Sequence, residues 1–326
     1  MTIGDLIRLM RDGEFHSGEQ LGEQLGVSRT AVWKQLKKLE AMDVPLEAVK
    51  GLGYRLATPL ELLDGADIVA RLPRDSRTRL SRLIIEEELA STNALLRERF
   101  AQGAGHGEAC LAESQSAGRG RRGRGWESPW GRSLMLSVGW RFESGANVLE
   151  GLSLAVGVVV AEVLERHGLE VALKWPNDVL LKTPHGLAKL AGILLEVSGD
   201  LAGPCEVVVG LGLNVDLPEE IRARIEQPVA AVHDVTPDVS RNRLASELVA
   251  GLLDLLSGYE EQGFSTWQQA WMRRHAYADQ EIEVIQQSTR YTARVEGIDA
   301  SGNLLVRHNN EQRRLAGGEI SVRGRS

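Results

Sequence analysis

Gln115–Trp126 reads Q-S-A-G-R-G-R-R-G-R-G-W: Arg119, Arg121, Arg122 and Arg124 interleave with Gly118, Gly120, Gly123 and Gly125, directly after the apolar run Ala109–Ala112. Gly118, Gly120 and Gly123 satisfy G-x-G-x-x-G, which in a dinucleotide-binding fold must open a helix and be followed, roughly 20 residues on, by an acidic residue. Here Gly-Trp-Glu-Ser-Pro-Trp follows, and Pro129 with two glycines argues against a helix. Three variable positions of the fingerprint are arginines, too bulky to face a close-packed helix turn. The stretch is therefore a loop leaving a strand, and a dinucleotide fold is rejected. Clustered guanidiniums repel one another unless an anion sits among them, and glycines let backbone amides approach the same anion. The economical reading is a flexible clamp for a phosphate-bearing ligand, with forked arginine donors. The alternative, a solvated Arg-Gly segment binding RNA non-specifically, fits poorly with the patterned sequence on both sides.

Outward from that loop, the length of 326 residues suggests two or three domains. Hydrophobic residues at 43% and charged residues at 25% are those of an ordinary globular protein. No apolar run approaches the ~18 residues that span a bilayer, and the N-terminus lacks an export signal. No membrane association and a cytoplasmic location are expected. Cys110 and Cys205 sit in apolar stretches and read as core residues in a reducing compartment. A net charge of −7 argues against a chain coated in nucleic acid but leaves room for a local basic surface.

Such a surface is predicted near the N-terminus. Ser17-Gly-Glu-Gln20 is a capping box opening a short helix with Leu21 and Leu25 on one face. Gly26-Val27 makes a turn, and Ser28 caps a second helix from Arg29 to about Ala41, with Val32, Leu36 and Leu39 at helical spacing. Arg29, Thr30, Lys34, Lys37 and Lys38 lie off that apolar stripe. Val44–Leu56 alternates and contains Gly51-Leu-Gly53-Tyr54, which suits a two-stranded wing. The segment resembles winged helix-turn-helix regulators along its length, so Ser28, Arg29, Thr30, Lys34, Lys37 and Lys38 are the candidate DNA contacts.

After an expected linker around Thr58–Arg77, strands and helices alternate. Strands are predicted at Leu83–Leu89, Ala109–Glu113, Ser133–Trp140, Val171–Trp175, Lys189–Val197 and Glu206–Asn214. Helices are predicted from Ala94 to about Ala101, with Ser91 or Thr92 as cap, from Leu149 to about His167, and over Arg241–Glu261 and Phe264–Arg274. The class is α+β, a mixed sheet with helices on one side. From about Tyr277 the chain alternates again, with a turn at Asp299–Gly302, and suits a small SH3-like barrel that completes the core. Lys174-Trp-Pro-Asn-Asp178, Lys189 and Gly210-Leu-Gly-Leu-Asn214 stand out, although each alone reads as a turn, an edge lysine or a strand end.

Together, Ser-Thr-Asn at 91–93, Gln115, the loop at 118–124, K-W-P-N-D at 174–178, K-L-A-G-I-L at 189–194, G-x-G-x-N at 210–214 and Gly317-Gly-Glu-Ile-Ser321 resemble the biotin–protein ligases. With the winged helix in front, the chain from about residue 5 to 322 is similar to the bifunctional branch that also represses biotin synthesis genes. The resemblance implies a winged helix-turn-helix at residues 1–60 and a catalytic domain like class II aminoacyl-tRNA synthetases at 61–276. The SH3-like domain would occupy 277–326. It implies that Ser91, Thr92, Asn93, Gln115, Arg119, Gly120, Arg121 and Lys189 bind biotin. Arg121, Arg122, Arg124, Trp126, Asn177, Lys189 and Asn214 would bind ATP and the adenylate. Lys189, Arg121, Arg119 and Asp178 would be catalytic. ATP and biotin are the implied substrates, with Mg²⁺. The implied partners are the biotin carboxyl carrier protein, operator DNA and a second copy of the chain once biotinyl-5'-AMP is bound.

Chemistry agrees with those roles. A carboxylate is a poor electrophile, so amide formation needs prior transfer of AMP, whose transition state gathers charge on phosphoryl oxygens and calls for cations and fixed donors. Asp178 would hold Mg²⁺ or assist deprotonation of the incoming lysine amine; the sequence leaves both open. The family pattern is broken twice. Val179–Ala188 is longer than the family's turn, so the placement of Lys189 rests on the L-A-G-I-L that follows. Pro218–Pro237, where the bifunctional ligase closes over adenine, holds no tryptophan. Two other functions compete: a transcription factor whose ligase-like domain only senses a small molecule, and a lipoate or octanoyl transferase. The intact arginine loop and Lys189 favour a ligase over the sensor, and the R-R-x-x-G-G-G loop of the transferases is absent.

Overall fold

The computed structural model describes residues 2–145, 149–199, 203–286, 289–317 and 320–324. The first part holds helices α1 (Ile3–Met10), α2 (Gly18–Leu25) and α3 (Arg29–Ala41) and the hairpin β1 (Leu46–Val49) and β2 (Gly53–Leu56). Ser17 and Gln20 cap α2 reciprocally, Gly26 ends it in the left-handed region at φ 65°, and Ser28 caps α3. These are the predicted turn and caps. Leu6, Ile7, Met10, Leu21, Val32, Leu36 and Leu39 form the core of this part, and two residues from beyond it, Leu60 and Trp130, are packed into the same cluster.

The expected linker is instead built into the fold. Helices α4 (Gly65–Arg71) and α5 (Arg74–Arg79) occupy it, and Leu63 and Leu72 are buried. A buried ion pair fastens it: Arg241 Nη2 lies 2.8 Å from Glu113 Oε2, while Glu113 Oε1 accepts from Leu63 N at 2.6 Å. Helix α4 spans seven residues and α5 six, under two turns each, so periodicity had too few positions to find them although Ile68 and Leu72 are buried.

The central sheet comprises β3 (Arg82–Leu89), β4 (Glu108–Gln115), β5 (Ser133–Phe142), β6 (Val171–Lys174), β7 (Asp178–Thr183), β8 (Gly186–Gly199) and β9 (Cys205–Asn214), in the order β3-β4-β5-β9-β8-β7-β6. Only β3 and β4 run parallel. The strand β7 was not expected; it makes a hairpin with β8, and this is where the long Val179–Ala188 segment goes. The long helices α7 (Leu152–Arg166) and α9 (Arg241–Gln262) cover one face over Leu136, Val138, Val207, Val209 and Leu211, but the expected one-sided arrangement does not hold, because a helix lies on each face. The short α6 (Thr92–Ala101) covers the other, where Leu96 and Phe100 meet Cys110 and Val208. Alternation along the strands thus feeds two layers.

Helices α8 (Glu219–Arg222) and α10 (Ser265–Met272) complete the central part. A five-stranded antiparallel sheet follows, β10 (Glu281–Gln286), β11 (Thr289–Ile298), β12 (Leu304–His308), β13 (Glu311–Leu315) and β14 (Ile320–Gly324), ordered β13-β12-β11-β10-β14. Asp299 Oδ1 accepts from the amides of Ser301 and Asn303 in the predicted turn. Of the Gly317–Ser321 motif, Gly318 and Glu319 lie outside the described residues.

Candidate active site

One cavity, open at one side, gathers nearly all the predicted ligand residues: Ser91, Thr92, Asn93, Gln115, the arginine loop, Asn177, Asp178 and Lys189. Its uncharged end is built where β3 hands over to α6. Ser91 caps that helix, so the hydroxyl of Thr92 and the amide of Asn93 enter the cavity from the first helical turn. Gln115 Oε1 accepts from Thr92 N at 2.7 Å and from its hydroxyl at 3.0 Å. Ser137 Oγ stands 2.6 Å from Asn93 Oδ1 and 2.7 Å from Thr92 Oγ1. Asn93 Nδ2 donates to Glu196 Oε2 at 2.8 Å. The groups that face the cavity, Thr92, Asn93 and Gln115, are neutral donors and acceptors, oriented by one another and anchored from behind by Ser137 and the Glu196 carboxylate. Such a set suits a small neutral ring with paired N–H and C=O groups.

The arginine loop folds back on itself as a short hairpin. Arg119 bridges Gly125, Gly120 N donates to Arg124 O at 2.8 Å, and Trp126 N donates to Gly118 O at 3.0 Å. Arg122 (φ 61°) and Gly123 (φ 71°) turn the tip in the left-handed region. Arg121 reaches back into the fold, donating to Asn177 Oδ1 at 3.5 Å and to the carbonyl of Gly317. Burial lowers its pKa, and the charge of Asp178 opposes that shift. Arg119 lies 3.7 Å from Glu196.

The charged end centres on Asp178. Lys189 Nζ is 2.8 Å from Asp178 Oδ1, and Lys174 Nζ is 3.8 Å from Oδ2. Burial depresses the Lys174 pKa, Asp178 raises it, and Lys189 lowers it further. Two ammoniums and Arg121 thus surround a single carboxylate, a site that gains an anionic ligand's charge favourably.

Trp126 forms the floor between the two ends. Gly192 of β8 and Gly212 of β9 are register partners, and a Cβ on either would come within 2.8 Å or 2.6 Å of its indole. A Cβ on Gly210 would come 2.3 Å from Asn93 Oδ1. The glycines of K-L-A-G and G-x-G are therefore the bed on which Trp126 and Asn93 lie. Lys189 Nζ stands 5.3 Å from the centroid of that indole.

One predicted residue lies outside the cavity, and another lies in it with partners other than a metal. Asn214 does not line the cavity; it is buried and donates to Ala230 O at 3.1 Å, pinning the segment that also pairs with the backbone of Lys189. Asp178 is taken up by two lysines, and among the described residues no three carboxylate, histidine or cysteine groups converge as a metal site. The donor set does not fit a resident Mg²⁺ on Asp178. Ser137 and Glu196 were missed as groups that position the site, and Lys174 stood only as the first residue of its motif with no role given; a serine inside Leu134-Met-Leu-Ser-Val and a glutamate ending Ile193-Leu-Leu-Glu were the available signals. The C-terminal sheet reaches the site too, through the Gly317 carbonyl and Val322. Cys110 is buried with its thiol pushed up to about 12, and Cys205 is buried and free, so neither is a nucleophile.

On the N-terminal part, Arg29, Thr30, Lys34, Lys37 and Lys38 are exposed on one side of α3, opposite its buried stripe. Ser28 accepts from Ala31 N at 3.2 Å, and Lys37 pairs with Glu40 at 2.6 Å. No helix among the described residues is long and apolar enough to cross a membrane.

The model of the Biotin/lipoate A/B protein ligase family matches residues 87–214, an HTH domain model matches 5–55, and a Biotin protein ligase C terminal domain model matches 279–323. The Bifunctional ligase/repressor BirA of Salmonella typhimurium is 39% identical over 319 residues, covering 98% of this chain and 96% of that protein. Its counterpart in Escherichia coli is 37% identical with the same coverage. Among solved structures, the biotin protein ligase of Aquifex aeolicus in complex with biotin and ATP superposes with a TM-score of 0.63 at 28% identity, covering 75% of this chain and all of that one.

Proposed function

The chain belongs to the family of bifunctional biotin protein ligases and repressors, and from that premise we propose how its own residues divide the work. The observation that carries the reading is the polarity of one cavity: Thr92, Asn93 and Gln115 at its neutral end, braced from behind by the buried Ser137; Arg121, Lys174 and Lys189 at the other; Trp126 between. The neutral end holds the ureido ring of biotin. Its carboxylate then lies among the cations, where it meets the α-phosphate of ATP.

In the first step a carboxylate oxygen bonds to the α-phosphorus, the bond to the bridging oxygen breaks, and pyrophosphate leaves with the electron pair. Lys189 and Arg121 stabilise the charge gathering on the phosphoryl oxygens, and no covalent protein intermediate is needed. Asp178 holds Lys189 in place and favours the charged form of Lys174 against its burial. Mg²⁺ enters as part of the nucleotide substrate, on its phosphates. In the second step the ε-amine of a lysine on the biotin carboxyl carrier protein attacks the acyl carbon, AMP departs, and the amine proton is lost to solvent. The hairpin 118–126 covers the mixed anhydride against water meanwhile. Arg119, Arg122 and Arg124 act as its cationic rim.

The repressor half uses α3 against operator DNA upstream of biotin synthesis genes. Biotinyl-5'-AMP favours a homodimer that presents two winged helices to a palindromic site. The test is direct. Incubation with biotin, MgATP and carrier domain should release pyrophosphate and add biotin to one carrier lysine, read by mass spectrometry. Turnover without biotin, or none with all components, would overturn the assignment of the cavity.

A further inference from the structure

Trp33 is 50% exposed, an indole left in water on a helix whose other large apolar residues, Val32, Leu36 and Leu39, are fully buried or nearly so. Arg29, Trp33 and Lys37 follow one another at i, i+4 and i+8 along the outer face of α3, with Thr30, Lys34 and Lys38 as the adjacent row. The ring shares a shallow concavity with Gly18, Arg29, Thr30 and Tyr54, so it stands beside the N-terminal half of α3 and the second wing strand. That half of a recognition helix is the part directed at base edges in helix-turn-helix proteins.

We infer that Trp33 is the specificity-determining residue of the DNA-binding face and that it reads the C5-methyl group of a thymine in the major groove. This rests on the repressor reading of the N-terminal part. The cations around it position the protein on phosphates and carry no sequence information of their own. An indole offers one N–H donor and otherwise only apolar surface, and the apolar feature of the major groove is the thymine methyl. Charge decides the occupant. A second copy of the chain meeting this face symmetrically would set Arg29, Lys34 and Lys38 against themselves, whereas DNA supplies anions on both sides of the ring.

The experiment uses the full-length protein with biotin and MgATP to select sites from a random duplex pool. Each thymine of a selected site is then replaced by deoxyuridine, which removes the methyl group alone. In the unsubstituted protein, one thymine per half-site should show about a fourfold loss of affinity, the worth of one buried methyl-sized group. Trp33→Ala should bind weakly and be indifferent to that replacement, with an unchanged dependence of log K on log salt, because no charge is lost. Lys34→Ala should do the reverse, lowering the salt slope by about 1 while keeping the methyl sensitivity. Thermal melting of each full-length variant, followed by far-UV circular dichroism, reports folding in both, because ligation does not depend on the N-terminal part. Methyl sensitivity retained in Trp33→Ala overturns the inference, as does unaltered DNA affinity with weakened self-association. If the unsubstituted protein enriches no sequence, the repressor reading itself falls, and this with it.

Discussion

Lys189 Nζ lies 2.8 Å from Asp178 Oδ1 because β8 carries one more residue than its partner strand. Asp178 faces Gly192 and Val179 faces Ala191, but Leu180 faces Lys189, so Leu190 is the extra residue. Regular pairing would send Lys189 to the same side as Ala191, into the core. With the bulge, Leu190 and Ala191 both enter the core while Lys189 joins Asp178 and Gly192 at the cavity. The freed backbone groups are satisfied elsewhere: Lys189 N donates to Pro228 O at 2.8 Å, and Lys189 O accepts from Ala230 N at 2.9 Å.

Lys189→Gln should therefore spare the fold and impair the chemistry. Its ammonium is placed for a developing phosphoryl charge, and loss of one fixed donor costs roughly 2–4 kcal/mol of transition-state stabilisation. Single-turnover adenylation should fall accordingly while biotin binding weakens less. An unchanged adenylation rate would reduce Lys189 to an edge lysine and move the role to Lys174.

Asp178→Asn should move the alkaline limit of adenylation to lower pH. Burial pushes the Lys174 pKa below the ordinary 10.5, and the Asp178 carboxylate is what counters it. Without that carboxylate, burial and the Lys189 charge act together, and Lys174 loses its proton sooner as pH rises. The same rate profile in Asp178→Asn and the unsubstituted enzyme above neutral pH would remove Lys174 from the site's working charge.

Gly212→Ala should disturb biotin binding without touching any polar contact. The new methyl would lie 2.6 Å from Trp126 Cε2, with the facing Gly192 leaving no alternative plane for the ring. Overpacking of this kind costs about 1–3 kcal/mol. The KM for biotin should rise, and a second change, Trp126→Leu, should restore part of the stability by calorimetry. No recovery in the double variant would mean that the glycines do not serve the indole.

Much of the site was legible because its residues cluster in short motifs: the arginine loop, the cap at 91–93 and Lys174–Asp178 each come whole. What those motifs meet was not legible. Gly210 and Gly212 read as close backbone packing, yet nothing local says that Asn93 and Trp126 are what approaches them. The bulge at Leu190 hides in an apolar run that fits a regular strand equally well. Likewise β7 starts directly on a Pro-Asn-Asp stretch with turn chemistry, and α4 and α5 are too short to show a period.

Arg121→Gly should weaken retention of the adenylate more than its synthesis. The side chain ties the hairpin to Asn177 and to the Gly317 carbonyl, so it links the loop to both the catalytic sheet and the C-terminal sheet. Without that tie, biotinyl-5'-AMP should escape, and exposed lysines of bystander proteins should become biotinylated. Retention equal to that of the unsubstituted enzyme in a rapid filtration assay would count against the clamp.

Deleting residues 1–57 should abolish DNA binding, preserve ligation and lower stability. DNA binding goes because every candidate contact from Ser28 to Lys38 is removed. Ligation persists because all cavity residues lie beyond residue 90. Stability falls because the boundary is not clean: Trp130, 2% exposed, belongs to the hydrophobic cluster that is the core of the N-terminal part, with Leu6, Ile7 and Leu36. The Arg224 guanidinium also loses its two contacts with Asp43, at 2.8 Å and 3.1 Å. Uncovering a side chain of that size costs about 2 kcal/mol, or roughly 4–8 °C in the thermal midpoint of a unit this large. Trp130→Gln in the truncated chain should reduce its aggregation, because most of the apolar cluster around it is gone and only Leu60 and Leu62 of that cluster remain. A truncated protein that melts with the full chain, with Trp130 fluorescence unshifted, would show the two parts to be energetically independent.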